Sequence, residues 1–382
     1  MKILFLGTHG QYNLGDELLL QTFLKQLGRE HSFAVNSYDP KYTQNMLSEY
    51  QVETFHTTAE MFRFLKYLLS SDLIFFGGGS IIKELYASVG RNRYATLWMI
   101  LAVVTFAKKL ARKKVVMSNI GIGPLLSPGG FRLARHILSQ VDFVSVRDKK
   151  SMQTYQELGL SFDKLRLTPD AVFVNSPDVF LPSPLSTQPS KHLRITLNLN
   201  FDIENPAAWE DFLSRLAEGL QMLNEKRPIE ILALPMQSKF KQNDDLSILK
   251  SFQKRIPDIP FVLNDPQSAQ EVGAIIAQSD LVIAERLHTL VISSILGKPF
   301  LGLSYDVKVN ELLTYLGMLE HSININQPFS AGELLRKTEE VLNQQAQIHA
   351  HLLKRSTDLR AQLQVYFDEV RFIIRNDKPP LR

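Results

Sequence analysis

Short apolar runs rich in β-branched and aromatic residues alternate with helix-like stretches along most of the chain, and no other feature restricts its fold as much. That alternation is the pattern of parallel sheets covered by helices on both faces. In the first half the runs are Ile3–Leu6, Phe33–Ser37, Leu73–Phe76, Val115–Ile120 and Phe143–Val146. From 174 to 190 the rhythm stops: Pro177, Pro182, Pro184 and Pro189 interleave with Ser176, Ser183, Ser186 and Ser190, a linker composition. It resumes at Arg194–Leu199, Ile229–Leu234, Leu281–Ala284 and Phe300–Leu303, separated by helical patterns such as Trp209–Leu223. After Phe329 the chain is charged and helix-favouring to about Arg375.

A chain of 382 residues exceeds one ordinary hydrophobic core, and 45% hydrophobic residues suffice to fill two. The expected fold is therefore α/β. A Rossmann-like domain covers 1–175, a linker 176–191, a second Rossmann-like domain 192–330, and a helical tail 331–382 packs back on the first domain. This is a GT-B-like arrangement. With 43 Lys and Arg dispersed against 39 Asp and Glu, the net charge of +4 argues against a nucleic-acid partner. The absence of cysteine removes disulfides, thiolate metal sites and cysteine nucleophiles. Ile3–Leu6 is too short for a signal peptide and reads as a first buried strand. The longest apolar stretch, Ala95–Ala107, falls short of the ~20 residues of a membrane span and reads as a core helix. The basic residues that follow it, Lys108, Lys109, Arg112, Lys113 and Lys114, keep peripheral docking on an anionic membrane face as a minor reading.

Three glycine-bearing corners follow strands of the first domain, where open α/β sheets bind ligands. The first is Gly7-Thr8-His9-Gly10-Gln11-Tyr12-Asn13-Leu14-Gly15-Asp16-Glu17. Asp16 is placed to cap the next helix, with Glu17 in its first turn. Two carboxylates there repel phosphate and suit sugar hydroxyls, and no dinucleotide fingerprint is present. The second corner, Gly77-Gly78-Gly79-Ser80, lets backbone amides approach a ligand, or merely permits a tight turn. Gly121-Ile122-Gly123-Pro124 is the third. Arg147-Asp148 ends a further strand: Asp148 caps the helix carrying Ser151, and Arg147 either pairs with it or serves a ligand.

The strongest signal lies in the second domain, where the strand Leu281–Ala284 runs into Glu285-Arg286-Leu287-His288, a helix-like stretch and Gly297-Lys298-Pro299. In an extended segment Arg286 and His288, two apart, share a face. Lys308 follows the next strand, so three cationic or protonatable groups meet a helix start: an anion site with a proton donor. Against this, a lone histidine is more often a buried hydrogen-bonding residue, and Arg286 is able simply to neutralise Glu285. No second histidine at ligand spacing supports a metal.

Taken together, these pieces resemble the polysaccharide pyruvyl transferase family, CsaB type. The matching motifs are Gly10 to Glu17, Gly77-Gly78-Gly79, Gly121 to Pro124, Arg147-Asp148 with Ser151, Pro169-Asp170, Arg286-Leu287-His288, Gly297-Lys298-Pro299, and Tyr305-Asp306 with Lys308. They span about residues 1 to 315. The resemblance implies phosphoenolpyruvate as donor, with Arg286, Leu287, Lys298, Lys308 and Arg147 around it in the second-domain site. It sets Asn13, Asp16, Glu17, Gly78, Gly79, Ser80 and Asp170 toward the acceptor, a sugar or lipid-linked saccharide of a cell-wall or exopolysaccharide precursor. His288 is the expected general acid, protonating the methylene carbon of phosphoenolpyruvate. One hydroxyl adds, phosphate leaves and a second hydroxyl closes a pyruvate ketal, with no metal or cofactor required. The alternatives are a GT-B glycosyltransferase gripping a nucleotide sugar with the same cations, and a non-catalytic phosphometabolite-binding protein. A cytoplasmic location, at the inner membrane face for a lipid-linked acceptor, completes the expectation. The sequence leaves open the acceptor sugar, the hydroxyl pair, the base and the number of copies that assemble.

Overall fold

The apolar runs become the central strands of two all-parallel sheets in the computed structural model of the chain, which describes residues 1–85, 92–181, 190–200, 206–240, 243–305 and 307–376. Two units form. The first holds Met1–Gln11, Asp16–Val174 and Ala361–Arg382; the second holds Tyr12–Gly15 and Asn175–Arg360.

In the first unit the elements follow as β1 (Lys2–Leu6), α1 (Leu14–Leu27, whose first two residues group with the second unit), β2 (Ser32–Ser37), α2 (Pro40–Met46), β3 (Gln51–His56), α3 (Met61–Ser70), β4 (Leu73–Gly77), α4 (Ala95–Thr105), β5 (Lys114–Ile120), α5 (Pro128–Gln140), β6 (Phe143–Val146), α6 (Lys149–Glu157) and β7 (Leu165–Leu167). Their order across the sheet is β3-β2-β1-β4-β5-β6-β7. The direction reverses beside β1, as in doubly wound folds, which bind ligands outside the strands' carboxyl ends. One apolar cluster joins α3, α4 and α5 to the sheet through Tyr67, Leu68, Leu97, Ile100, Val104 and Ile137.

The second unit runs β8 (Leu193–Asn198), α7 (Pro206–Lys226), β9 (Ile229–Ala233), α8 (Asp245–Gln253), β10 (Phe261–Leu263), α9 (Ala269–Gln278), β11 (Leu281–Ala284), α10 (Leu287–Ile295), β12 (Phe300–Ser304), α11 (Val307–Leu316), β13 (Ser322–Asn324), α12 (Ala331–Asn343) and α13 (Gln345–Arg375). Its sheet order is β10-β9-β8-β11-β12-β13. Helix α13 is continuous, with residues 345–360 in the second unit and 361–375 in the first. The distal half packs on the first sheet, where the buried Tyr366 hydroxyl bonds Ser118 Oγ and, at 2.6 Å, Ser145 Oγ, and Arg166 pairs with Glu369 at 2.7 Å. Burial raises the Tyr366 phenol to about 12.

In the expected linker, Pro177–Val179 forms a 3-10 turn and Phe180 is buried; Pro182, Pro184 and Pro189 lie outside the described residues. Among the described residues no helix is long and apolar enough to cross a membrane.

Candidate functional site

At the carboxyl edge of the second sheet the strand β11 stops at Ala284, and the side chain of Asn198, from the end of neighbouring β8, turns the chain. Its Oδ1 accepts from Arg286 N at 2.9 Å while its Nδ2 donates to Leu234 O. Arg286 takes the position before α10 with extended backbone (φ −70°, ψ 127°) and gives that helix no side-chain cap. The first-turn amides of α10 therefore begin beside a guanidinium and not a capping oxygen, an arrangement that favours an anion. Arg286 and His288 consequently do not share the face of an extended segment, as expected above, because the helix begins at Leu287. They share a helix start instead.

The Arg286 guanidinium is held by Asp245 and Gln237. Nη2 and Nε donate to the two Asp245 carboxylate oxygens at 2.6 and 3.1 Å, and Nη2 also donates to Gln237 Oε1 at 3.1 Å. A bidentate pair with a carboxylate buried to 1% exposure fixes the guanidinium plane. Asp245 opens α8 directly after its capping residue Asp244, which accepts from Ser247 N at 2.8 Å. Sequence reasoning missed Asp245, Gln237 and Asn198. Two aspartates before a helix read as capping, and nothing local marks the second one as buried.

The stretch 12–15, in sequence part of the first glycine corner, belongs to this second-unit site. Leu14 N donates to Met236 O at 2.9 Å, and Asn13 forms an antiparallel bridge with Gln237. Asn13 Oδ1 accepts from Gly15 N at 3.1 Å at the start of α1. Gly15 abuts the His288 ring so closely that a β-carbon there would sit 2.1 Å from Nδ1. His288 itself is buried in the first turn of α10. A continuous chain of contacts thus runs His288, Gly15, Asn13, Gln237, Arg286, Asp245.

The carboxyl edge of the first sheet uses its polar residues differently. Asp16 is not the cap of α1: the helix starts two residues before it, and Asp16 Oδ2 accepts from Thr8 Oγ1 at 3.5 Å. Glu17 is buried, accepts from Gly10 N at 2.7 Å, and is pushed up to about 8 by loss of hydration, so it is largely protonated at neutral pH. His9, enclosed beside Phe5, is driven down to about 3 by burial and stays neutral. Gly78 and Gly79 adopt φ of 66° and 75°, where Gly78 N donates to Ser118 O and Gly79 O accepts from Gly121 N, so part of this backbone is committed to sheet-like pairing. Ser80 packs beneath Gly121. Arg147 pairs with Asp170 at 3.1 Å, both nearly buried, and Asp148 caps α6 through Ser151 N at 2.6 Å. Asn119 ties the Pro169-Asp170 motif down, donating to Thr168 Oγ1 and Pro169 O and accepting from Ala171 N. Glu84, not singled out in the sequence, accepts from Leu126 N, Ser127 N and Ser127 Oγ, each at 2.9 Å, ahead of α5.

Of the residues expected at the donor, Arg286, Leu287 and His288 lie at one corner, and Lys308 lies at the start of α11, beyond the carboxyl end of the adjacent strand β12. Asp306, beside it in the motif, is outside the described residues. Lys298 sits at the opposite edge: Gly297 terminates α10 with φ 66°, and Lys298, ahead of β12, donates to Ser279 O at 2.9 Å before the start of β11. That motif ends a helix and starts a strand. Arg147 is in the first unit, committed to Asp170.

The family model for polysaccharide pyruvyl transferases matches residues 13–307, which include both Asn13 and His288. The chain belongs to that family. Among curated proteins, the amylovoran biosynthesis protein AmsJ of Erwinia amylovora is 21% identical over 257 residues, covering 64% of this chain and 62% of that protein. The family's fold is shared with solved structures at low identity. The glycosyltransferase of Rickettsia africae superposes with a TM-score of 0.65 at 14% identity, covering 99% of each chain. HepE of Anabaena, solved with UDP and glucose, gives 0.62 at 14% identity, over 99% of this chain and 100% of that one. MnaA of S. aureus, solved with UDP, gives 0.63 at 9%, over 99% and 98%. These likenesses establish the α/β, GT-B-like fold class of this pyruvyl transferase family member and nothing of its ligands.

Proposed function

We propose that this family member transfers the pyruvyl group of phosphoenolpyruvate to a pair of hydroxyls on a saccharide, releasing phosphate and forming a ketal. One observation carries the reading: three separated stretches within the family match, at Asn13–Gly15, Gln237–Asp245 and Arg286–His288, meet at the carboxyl edge of one sheet. His288 is the proposed general acid, giving a proton to the methylene carbon of phosphoenolpyruvate and leaving positive charge on the adjacent carbon. One hydroxyl adds there and loses its proton to the imidazole, restoring the acid. The carbon–oxygen bond to phosphate then breaks. The second hydroxyl adds, its proton leaving with the phosphate.

Arg286, held by Asp245, together with Lys308 and the α10 amides, meets the phosphate and carboxylate of the donor. Asp245 offsets part of the Arg286 charge, so Lys308 carries more of the donor's affinity. For the acceptor the proposal retains Asn13, Asp16 and the Gly78–Ser80 corner. Glu17 and Asp170 serve the loop and the ion pair instead, and Lys298 and Arg147 are left out of the donor site.

The test incubates the full chain with phosphoenolpyruvate and a panel of lipid-linked and nucleoside-diphosphate sugars. Released phosphate and a new ketal methyl resonance are followed together, with UDP-sugars alone as a control. His288→Ala should abolish both signals, and Lys308→Ala should raise the apparent KM for phosphoenolpyruvate. Full turnover in His288→Ala removes it from the acid role. Sugar transfer from a UDP-sugar with no ketal would replace the reading with glycosyl transfer.

A further inference from the structure

Helices α3 and α4 lie on one face of the first sheet, with Tyr67 and Leu68 of α3 and Leu97, Ile100, Val103 and Val104 of α4 turned into the common apolar cluster. Their other sides should be polar if they met only water. They are not. Phe62 is 90% exposed, Leu69 55%, Trp98 57%, Met99 52% and Leu110 72%. α4 continues into a π-helical turn, Phe106–Leu110, and Trp98, Ala102 and Lys109 recur at helical spacing along its exposed side.

Cations predominate on this surface, and Glu60, just ahead of α3, is paired with Arg63 at 2.9 Å. No acidic residue occurs within α3 or from Ala95 to Lys114. Lys108 is engaged by Asp142, and Lys114 by the carbonyls of Ile373 and Asn376. Lys66 and Lys109 are exposed, as is Arg112, and Lys113 is half-buried. Large exposed apolar side chains next to cations, with no helix among the described residues able to span a bilayer, is the composition of an interfacial docking surface.

We propose that the exposed sides of α3 and α4 dock on an anionic lipid bilayer. Phe62, Leu69, Trp98 and Met99 enter the headgroup–acyl boundary, while Lys66, Lys109, Arg112 and Lys113 meet lipid phosphates. A second copy of the chain is the poorer occupant, since a two-fold contact sets each cationic surface against its twin. The inference does not depend on pyruvyl transfer, because binding is read without turnover.

The experiment sediments the full chain with vesicles of phosphatidylcholine alone and of phosphatidylcholine with 30% phosphatidylglycerol. The two tryptophans make a direct probe: Trp209 is buried and Trp98 is exposed, so in Trp209→Phe the emission reports Trp98 alone. The protein should partition onto the anionic vesicles only, release at high salt, and shift its Trp98 emission to the blue. Each cation near an anionic surface contributes roughly fivefold to partitioning, so Lys109→Glu, Arg112→Glu and Lys113→Glu together should lower it at least about a hundredfold. Phe62→Ser with Leu69→Ser should abolish the remaining binding with unchanged circular dichroism. Equal partitioning onto both vesicles, an unshifted Trp98, or retained binding in Phe62→Ser with Leu69→Ser overturns the proposal. A concentration-dependent dimer that those two substitutions dissociate, without vesicle binding, gives the surface to a second copy instead.

Discussion

At the carboxyl edge of the first sheet the buried ionisable groups hold loops and helix starts: Glu84 ahead of α5, protonated Glu17 under Gly10, neutral His9, and Arg147 locked to Asp170. At the carboxyl edge of the second, Arg286 is also locked, but onto a scaffold that sets an uncapped helix start and a histidine beside the segment 12–15. The same strand–turn–helix plan thus yields a polar framework in one unit and, in the other, the corner proposed as the donor site. The helix starts at these particular corners differ. α5 and α6 have Ser127 and Asp148 there; α10 has Arg286 and no cap.

The largest effect that would break this contrast is expected from Asp245→Ala. It leaves a mostly buried guanidinium without its carboxylate and should cost about 3–5 kcal/mol in chemical denaturation. A loss below about 1 kcal/mol, the level of an exposed pair, would mean that Asp245 does not hold the corner together. Next comes Gly15→Ala, whose β-carbon needs the place of His288 Nδ1. A displacement on the order of 1 Å should lower kcat/KM in the ketal assay about a hundredfold. Unchanged kcat/KM would separate His288 from the chemistry. On the first-sheet side, Glu84→Ala removes three accepted bonds and should cost roughly 1–3 kcal/mol while leaving the KM for phosphoenolpyruvate intact. A raised KM would erase the distinction between the two edges.

The pH response sharpens the contrast further. Glu17 titrates higher in the fold (about 8) than its ordinary 4.5, so the stability it brings is complete below about 4.5 and is lost as pH rises through about 8. Glu17→Gln should flatten the stability profile between those values, by at most about 1.4 kcal/mol per pH unit, without touching the acid limb. His9 acts in the opposite sense: lowered to about 3 from 6.5, it loses its contribution as pH falls through that window. A profile unaltered by Glu17→Gln would show the carboxyl to be ionised in the fold. The smallest effect, about 1 kcal/mol, is expected from Asp148→Ala, which removes one helix cap from α6.

The nine runs read from the sequence correspond to the interior strands β1, β2, β4, β5, β6, β8, β9, β11 and β12. The four strands that went unread, β3, β7, β10 and β13, are the four sheet edges. An interior strand of a parallel sheet is covered on both faces and must be an apolar run; an edge strand such as Gln51–His56 is half exposed and carries polar residues. The candidate site divides in a similar way. Arg286, His288 and the glycine corners were legible because strand ends and helix starts are local features of the chain. That Asn13 to Gly15 leave the unit of their neighbours to meet Gln237, that Arg286 finds Asp245, and that Lys298 falls on the far edge were decided by tertiary structure. Periodicity fixes which residues face inward along a strand or helix, whereas a partner several dozen residues or more away is chosen only when whole elements pack.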